Sequence, residues 1–248
     1  MLIKIALSGA TGRMGKSIIK AADAIKEFTI IAKLVKCNFD NNRDKLLNIL
    51  ENADVFIDFS IPAACMQYLQ LCKQLKIPMV IGTTGFTLAE YEEIASVAKD
   101  IPILLSPNMS FGANMCQYLL GCLAKQWVQD QRAKTTINIK EVHHKHKLDA
   151  PSGTALKMAE VIKKNLLNEV PLEFSSKRIG NVKGRHQVTF ANQFEDITIK
   201  HNVKNRSVFA NGALIAAKWL IEHKKPNKLY NFLDIMNHQK ILATEILV

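Results

Sequence analysis

The sequence predicts an α/β fold, in which a doubly wound parallel sheet is joined to an α+β domain with an open mixed sheet. About the first hundred residues alternate short, uniformly apolar runs with longer amphipathic stretches. Such runs are typical of strands buried on both faces, with helices as the crossovers between parallel neighbours. After residue 134 the runs alternate polar and apolar residues, which indicates strands with one exposed face.

Five apolar runs predict the strands of the parallel sheet: Ile3–Leu7, Thr29–Val35, Val55–Phe59, Met79–Ile81 and Ile103–Leu105. Helices are predicted between them at Met14–Ala24, Arg43–Leu50, Ala63–Leu75 and Leu88–Ala98. This alternation of short strands and helices implies βαβ units and a sheet that is covered on both faces.

The second half of the chain predicts a different arrangement. A half-exposed strand is expected at Thr135–Val142, and a helix is expected at Ser152–Leu167. Two antiparallel strands are expected at Gln187–Ala191 and Asp196–Asn202. Helices are then predicted at Gly212–Glu222 and Leu229–Met236.

The composition is that of an ordinary globular protein. The 248 residues suffice for one large domain or two modest ones, and 48% are hydrophobic and 22% charged. No apolar run approaches the roughly 20 residues that span a bilayer, so we expect a cytoplasmic protein without a membrane segment. The apolar start at Ile3–Leu7 ends at Ser8-Gly9, and we expect it to be a buried strand, not a signal peptide.

The cysteines favour neither disulfides nor a metal site. The five of them are odd in number, widely spread and without a CxxC pair: Cys37, Cys65, Cys72, Cys116 and Cys122. That spacing argues against a disulfide framework and against structural zinc, so free thiols in a reducing compartment are expected.

The net charge of +11 is compatible with a nucleic-acid surface, with anionic ligands or with a solvated lysine-rich surface. The basic residues are scattered and do not form one long run interleaved with aromatic residues. Nucleic-acid binding is therefore not expected.

A glycine-rich turn follows the first predicted strand, with the sequence Gly9-Ala10-Thr11-Gly12-Arg13-Met14-Gly15. A strand that ends in glycines and opens a helix places backbone N–H groups and the helix dipole where a pyrophosphate can bind. The turn therefore predicts a Rossmann-type dinucleotide-binding domain, with the charge of Arg13 beside the phosphates. A plain strand–helix turn with an exposed Arg13 is the alternative.

The end of the second strand bears on the choice of cofactor. An acidic residue about 20 positions after the glycine turn usually holds the ribose 2′-hydroxyl of NADH. This chain has Lys36, with Cys37 and Asn38 after it, and no carboxylate there. A lysine suits the 2′-phosphate of NADPH, so we expect NADPH before NADH. The alternative is that Lys36 points into solvent.

The strongest chemical signal lies between residues 141 and 154. Three of the seven histidines and two lysines fall within five residues: His143, His144, Lys145, His146 and Lys147. Histidine can deliver a proton near neutral pH, and an ammonium group can stabilise developing negative charge. The Ser152-Gly153-Thr154 turn opens a helix and offers N–H groups to a carboxylate. These features predict proton transfer in a pocket for a small polyanionic acid.

Two other interpretations of this segment exist. His144 and His146 could form a metal pair, but the interleaved lysines repel a cation and no cysteine lies nearby, so no metal is expected. The segment could also be an exposed basic loop without chemistry. The dinucleotide-binding domain predicted in the same chain favours catalysis.

A series of ordered motifs extends over nearly the whole chain. They are Gly9-x-x-Gly12-Arg13-Met14-Gly15, Phe56-Ile57-Asp58-Phe59-Ser60, Gly82-Thr83-Thr84-Gly85-Phe86, Ser106-Pro107-Asn108-Met109-Ser110, Gly112-x-Asn114, His143-His144-x-x-Lys147-x-Asp149-Ala150-Pro151-Ser152-Gly153-Thr154, Arg178-x-Gly180-x-x-x-Gly184-x-His186, Arg206 and Phe209-Ala210-x-Gly212-Ala213. In these residues the chain resembles the dihydrodipicolinate reductase family, also named 4-hydroxy-tetrahydrodipicolinate reductase. The histidine block is the most specific part of the resemblance.

The resemblance implies a function and a set of site residues. The activity would be NAD(P)H-dependent reduction of a cyclic hydroxy-diacid, with loss of water, in the diaminopimelate route to L-lysine. His143 would be the proton donor and Lys147 a second donor or stabiliser. The carboxylates of the substrate would bind to His144, Gly153 and Thr154. The cofactor would contact Gly9, Ala10, Thr11, Gly12, Arg13, Met14, Lys36, Gly82, Thr83, Thr84, Ser106, Pro107, Asn108 and Met109.

The resemblance also implies a domain division. Residues 1–110 with 207–248 would form the dinucleotide-binding domain. Residues 111–206 would form the domain for substrate binding and oligomerisation, in a homotetramer.

Two other functions remain as alternatives. A dehydrogenase acting on an amino-acid semialdehyde would share the fold, but an acyl-enzyme mechanism needs a cysteine nucleophile near a histidine. A non-catalytic redox sensor that binds dinucleotide and nucleic acid would need a compact basic recognition helix. The sequence contains neither feature in a convincing form.

Overall fold

The computed structural model describes residues 2–35, 43–127, 135–223 and 225–236. The chain separates into two compact units, of which one is Met1–Ser110 with Ser207–Val248 and the other is Phe111–Arg206. The elements in chain order are β1 Ile3–Ser8, α1 Arg13–Asp23, β2 Phe28–Leu34, α2 Arg43–Leu50, β3 Val55–Asp58, α3 Pro62–Leu75, β4 Met79–Ile81, α4 Leu88–Val97, β5 Ile103–Leu105, α5 Phe111–Trp127, β6 Thr136–His143, α6 Gly153–Asn165, β7 Leu172–Arg178, β8 Arg185–Ala191, β9 Asp196–Asn202, α7 Ser207–His223 and β10 Leu229–Tyr230.

The first unit contains the predicted doubly wound sheet. Its strands are all parallel, in the order β10-β5-β4-β3-β1-β2. The chain winds outward from β1 to β2 and then returns to β3 on the other side of β1. The carboxyl ends of β1 and β3 therefore form the switch point at which such sheets bind ligands.

Both faces of this sheet are buried, as its uniformly apolar strands predict. Ala6, Phe56 and Met79 point to one face and pack in a core with residues of α3 and α4. The alternate residues Ile57 and Val80 are fully buried as well. On that side α7 contacts β3, β4 and β5, and it also packs against α1.

The predicted helix at Leu229–Met236 is wrong in its first part. Leu229 and Tyr230 form β10, which extends the sheet by parallel pairing with Ile103 and Leu104 of β5. Residues 232–236 are helical. Asn231 separates the two segments, because its side-chain oxygen accepts a hydrogen bond from the N–H of Leu233 at 2.8 Å, as an N-cap does.

The second unit is a mixed sheet in the order β7-β6-β8-β9, with β6 and β7 parallel and the other pairs antiparallel. Helices α5 and α6 cover one face, where Ile137, Ile139 and Phe190 pack against Leu120 and Met158. The sequence did not predict α5 or β7. In β7 most side chains are exposed, so the strand has little hydrophobic pattern.

The described helices of both units were compared with the length and hydropathy of membrane-spanning helices. Within the described parts of the chain, none combines the length and the apolar character needed to cross a membrane.

Candidate active site

The glycine turn in the first unit packs closely against the segment that follows β3. Gly9 has φ +72°, and a Cβ there would lie 2.1 Å from the carbonyl oxygen of Phe59, so only glycine fits. The N–H of Gly12 donates to the carbonyl of Gly9 at 3.0 Å and closes the turn. Helix α1 then begins without a side-chain cap and without an acidic residue in its first turn. This N-terminus therefore suits a pyrophosphate.

The predicted contact residues in this turn differ in exposure. Thr11, Gly12 and Arg13 are exposed, Met14 is half-buried and Ala10 is buried. The backbone N–H of Ala10 donates to the carbonyl of Leu34 at 3.3 Å, which ties the turn to the end of β2. Residue 36, which carries the predicted 2′-phosphate contact, lies outside the described residues.

The segment after β4 is tied to the buried carboxylate of Asp58. Thr83 donates its hydroxyl to Asp58 and accepts a hydrogen bond from the N–H of Ser60 at 2.9 Å. The hydroxyl of Ser60 donates to Asp58 at 2.6 Å, and the N–H of Gly82 donates to the Asp58 carbonyl at 2.8 Å. The side chain of Thr83 is thus a structural part of the site, whereas Thr84 is exposed.

The segment after β5 forms a second fixed turn. The hydroxyl of Ser106 donates to the carbonyl of Asn108 at 2.9 Å, and the side-chain oxygen of Asn108 accepts from the N–H of Ser110 at 2.9 Å. Met109 is buried and Pro107 is exposed. The glycine turn and the segments after β4 and β5 all lie at the carboxyl edge of the parallel sheet.

His143 is the last residue of β6 in the second unit, and it is only 8% exposed. Its Nδ1 atom is hydrogen-bonded to Oε2 of Glu141. Its Nε2 atom lies beside Gly184, where an added Cβ would come within 3.2 Å of that nitrogen. Gly184 has φ +153° and thus leaves room at Nε2 that a side chain would fill.

Glu141 is the centre of this network. It is 1% exposed, and its Oε1 atom lies 2.8 Å from Nη2 of Arg178 and accepts from the N–H of Ser152 at 3.3 Å. Burial by itself would raise the pKa of Glu141. Hydrogen bonds from Arg178, His143 and Ser176 outweigh that cost and lower its pKa from 4.5 to about 2.

A row of three histidine rings extends from the site across the sheet. The rings of His143 and His186 are 5.1 Å apart in a T-shaped contact, and His186 stacks on His201 at 5.8 Å. Burial and the neighbouring charge of His143 lower the pKa of His186 to about 4, and burial lowers the pKa of His201. The ring next to His143 is therefore neutral at neutral pH.

The loop after β6 is held by Arg178. Its Nε atom donates to the carbonyl of Lys147 at 3.2 Å, and its Nη2 atom donates to the carbonyl of Asp149. The ammonium group of Lys147 lies 2.7 Å from Oδ1 of Asp149. The other carboxylate oxygen of Asp149 accepts from the N–H of Gly153 at 3.4 Å. The side chain of Asp149 thus links the ammonium group of Lys147 to the start of α6.

The other predicted substrate contacts lie in the same region. Ser152 caps α6 by accepting from the N–H of Ala155 at 3.3 Å, with Gly153 exposed and Thr154 half-buried. Partial burial and the positive charges of Arg206 and His143 lower the pKa of His144. Its ring lies 6.5 Å from that of His146. Among the described residues, no group of three or more possible ligands is arranged to hold a metal ion.

The cysteines do not resemble nucleophiles. Cys65 and Cys72 are buried, and burial raises the pKa of each far above its usual range. Burial also raises the pKa of Cys116, while Cys122 is exposed. Cys37 lies outside the described residues. Since the thiolate is the reactive form, the three buried thiols are unsuited to acyl-enzyme chemistry.

Comparison with known families decides between the remaining interpretations. The profile described as "Dihydrodipicolinate reductase, N-terminus" matches residues 3–109, and the one described as "Dihydrodipicolinate reductase, C-terminus" matches residues 112–236. The chain belongs to the dihydrodipicolinate reductase family. It is therefore an enzyme, an oxidoreductase that uses a nicotinamide cofactor.

Individual relatives agree with this membership. The 4-hydroxy-tetrahydrodipicolinate reductase of Rickettsia bellii is 40% identical over 94% of this chain and 94% of its own. The protein of the same name from Pelagibacter ubique is 37% identical over 95% of this chain and 98% of its own.

Two solved structures show the fold alone. A dipicolinate-bound dihydrodipicolinate reductase from Paenisporosarcina sp. TG-14 is similar with a TM-score of 0.78 and 24% identity, over 93% of this chain and 98% of that chain. A probable dehydrogenase from Thermotoga maritima is similar with a TM-score of 0.63 and 10% identity, over 92% and 91%.

Sequence reasoning gave no role to several residues of the site. Glu141 lay within the segment 141–154, and Asp149, Arg178 and His186 lay within quoted motifs, but none of the four was assigned a role. The period of two in a strand places Glu141 on the same face as His143, so that signal was present. The contact of Arg178 depends on β7, which the sequence did not predict.

Proposed function

We propose that the chain reduces 4-hydroxy-tetrahydrodipicolinate to tetrahydrodipicolinate, with loss of water, in the diaminopimelate route to L-lysine. The names of the relatives from Rickettsia and Pelagibacter support this substrate. The observation that carries the proposal is the buried Glu141–His143 pair beside Lys147 and the start of α6. It combines a proton carrier with cationic and N–H groups that suit a small diacid.

His143 is the proposed proton donor, because it is nearly buried and its Nε2 atom adjoins the room left by Gly184. Lys147 is proposed as a second donor or as the group that stabilises negative charge on the reacting substrate. His144, Gly153 and Thr154 are proposed to bind the substrate's carboxylates. The contact of Asp149 with Gly153 supports this, since a carboxylate already lies against that N–H group.

The first unit is proposed as the dinucleotide-binding domain. Gly9 to Met14, Gly82 to Thr84 and Ser106 to Met109 would hold the cofactor at the carboxyl edge of the parallel sheet. The uncapped start of α1 fits a pyrophosphate. A reduced nicotinamide, when bound, supplies the hydride. NADPH is proposed as the preferred form because Lys36 would neutralise the 2′-phosphate.

The second unit is proposed as the domain for substrate binding and for assembly of a homotetramer. The described helices of the second unit, α5 and α6, pack on one face of its sheet, which leaves the other face for other copies of the chain. The molar mass in solution, measured by light scattering, tests the assembly, and a monomer would contradict it.

We also propose that the enzyme acts in the cytoplasm.

The test of the reaction is an absorbance assay that follows NADPH oxidation with freshly generated substrate. We expect oxidation that depends on both enzyme and substrate. His143→Ala should lower the turnover about 10²–10⁴-fold while cofactor binding remains nearly intact. His146→Ala, an exposed histidine of the same loop, is the matched control and should keep its activity. Absence of oxidation by the wild type would contradict the proposed reaction, and near-normal turnover of His143→Ala would contradict the role of His143 as the proton donor.

A further inference from the structure

We propose that Glu141 is a positioning residue for the acid step, which binds the Nδ1–H group of His143 and leaves Nε2 as the atom that carries the transferable proton. This inference rests on the proposed role of His143 as the donor. It assigns a function to a buried carboxylate that would otherwise count only as a partner of Arg178.

The two carboxylate oxygens of Glu141 have different partners. Oε1 lies 2.8 Å from the guanidinium of Arg178 and accepts from the N–H of Ser152, whereas Oε2 contacts His143. A purely structural ion pair needs only the first oxygen. The second oxygen is directed to the imidazole, and it can accept a hydrogen bond there only if Nδ1 carries a proton.

The strand geometry keeps this contact in place. Glu141 and His143 are two residues apart on β6 and therefore point to the same face of the sheet. In the parallel register His143 lies opposite Arg178, and in the antiparallel register Glu141 lies opposite His186. Because β6 is paired on both sides, its backbone keeps both side chains on this face of the sheet.

Glu141 is the anionic group in hydrogen-bond contact with His143. The groups that face it are Glu141 on its own strand, Arg178 on β7, His186 on β8 with His201 of β9 behind it, and His144 and Lys147 in the loop. Of these, His186 is neutral at neutral pH, and Arg178 and Lys147 are cationic. Glu141 therefore places one carboxylate oxygen at Nδ1 of His143, while its other oxygen is bound by Arg178.

The kinetic test compares Glu141→Gln with the wild type. The substitution removes the negative charge at Nδ1 of His143 but keeps a side chain of similar size and a hydrogen-bond acceptor. We expect the alkaline limb of the kcat/KM profile to move about one unit to lower pH, and kcat near neutral pH to fall about tenfold. KM and NADPH affinity should stay within about twofold. Glu141→Asp keeps the charge and should retain most of the activity.

Glu160→Gln is the matched control, because it makes the same chemical change outside the site. Glu160 is an exposed partner of Lys157 on α6. Its pH profile should equal that of the wild type. If the alkaline limb of Glu141→Gln does not move, Glu141 has only a structural role. If His143→Ala itself keeps its turnover, the proposed role of His143 as the donor fails, and the role of Glu141 fails with it. The proposed function fails only if the wild type does not oxidise NADPH in the presence of substrate.

A measurement on the wild type avoids any folding defect of a variant. Nitrogen-15 NMR of the histidine rings, recorded at a pH where His143 is neutral, should show its proton on Nδ1. The exposed His146 serves as the internal reference and should favour the Nε2–H form. A neutral His143 with its proton on Nε2 would overturn the inference directly.

Discussion

The buried carboxylate of Glu141 should make the second unit sensitive to acid. Its pKa of about 2 in the folded chain lies below the ordinary value of 4.5. A depressed pKa contributes stability that is fully present above pH 4.5 and is lost as the pH falls towards 2. The difference corresponds to about 3 kcal/mol. Breaking a buried ion pair typically costs about 3–5 kcal/mol, which agrees with this magnitude.

We therefore expect Glu141→Gln to be about 3 kcal/mol less stable than the parent at neutral pH. The gap between the two proteins should close as the pH approaches 2, because the parent's carboxylate is then protonated as well. The difference in unfolding free energy between the two proteins is compared, because the contributions of the other acidic groups cancel in that difference.

Urea unfolding followed by tryptophan fluorescence provides the assay. The chain has two tryptophans, Trp127 in the second unit and Trp219 in the first. A Trp219→Phe background leaves Trp127, which packs edge-on against Phe190 at 6.3 Å, as the reporter of the second unit. Glu160→Gln should change stability by less than about 1 kcal/mol at every pH, because its ion pair is exposed. If the stability difference between Glu141→Gln and the parent does not depend on pH, the reasoning is refuted.

Three further predictions concern ligand binding. Lys147→Ala should lower turnover and weaken substrate affinity together, because an ammonium group beside a dianion acts in both ground and transition states; unaltered steady-state kinetics of the folded variant would favour an exposed loop without chemistry. Asp149→Asn should lower the KM for the substrate a few-fold in steady-state kinetics, since it removes the carboxylate that competes for Lys147 and the N–H of Gly153, and a higher KM would show that Asp149 supports the site instead. Lys36→Glu should shift cofactor preference towards NADH, and an unchanged ratio of NADPH to NADH affinity would make Lys36 a surface residue.

The parallel sheet could be predicted from the sequence because burial on both faces leaves an unmistakable pattern. Met79–Ile81 and Ile103–Leu105 were predicted with their observed bounds, since each is a short apolar run between helices. Leu229–Tyr230 was not predicted as a strand. A segment of two residues is too short to show a hydrophobic period, so only its pairing with β5 identifies it as a strand.

The candidate site could be predicted only in part, because its residues come from separate strands. The cluster from His143 to Lys147 is visible as a local concentration of histidine and lysine. The contacts of His186 with His143 and His201 depend on the antiparallel register of β6, β8 and β9, which a single sequence does not specify. The contact of Arg178 depends likewise on the parallel pairing of β7 with β6.

One ion pair positions both proposed proton donors, and this explains why a loop residue can take part in the chemistry. Glu141 fixes the ring of His143 at the end of a paired strand, and it also binds Arg178. Arg178 in turn holds the backbone carbonyl groups of Lys147 and Asp149. The loop therefore takes its position from the rigid sheet through a guanidinium fork, which binds several acceptors in fixed geometry. A lysine in place of Arg178 could neutralise Glu141, but its single ammonium group lacks the planar fork that holds the carboxylate and the loop together.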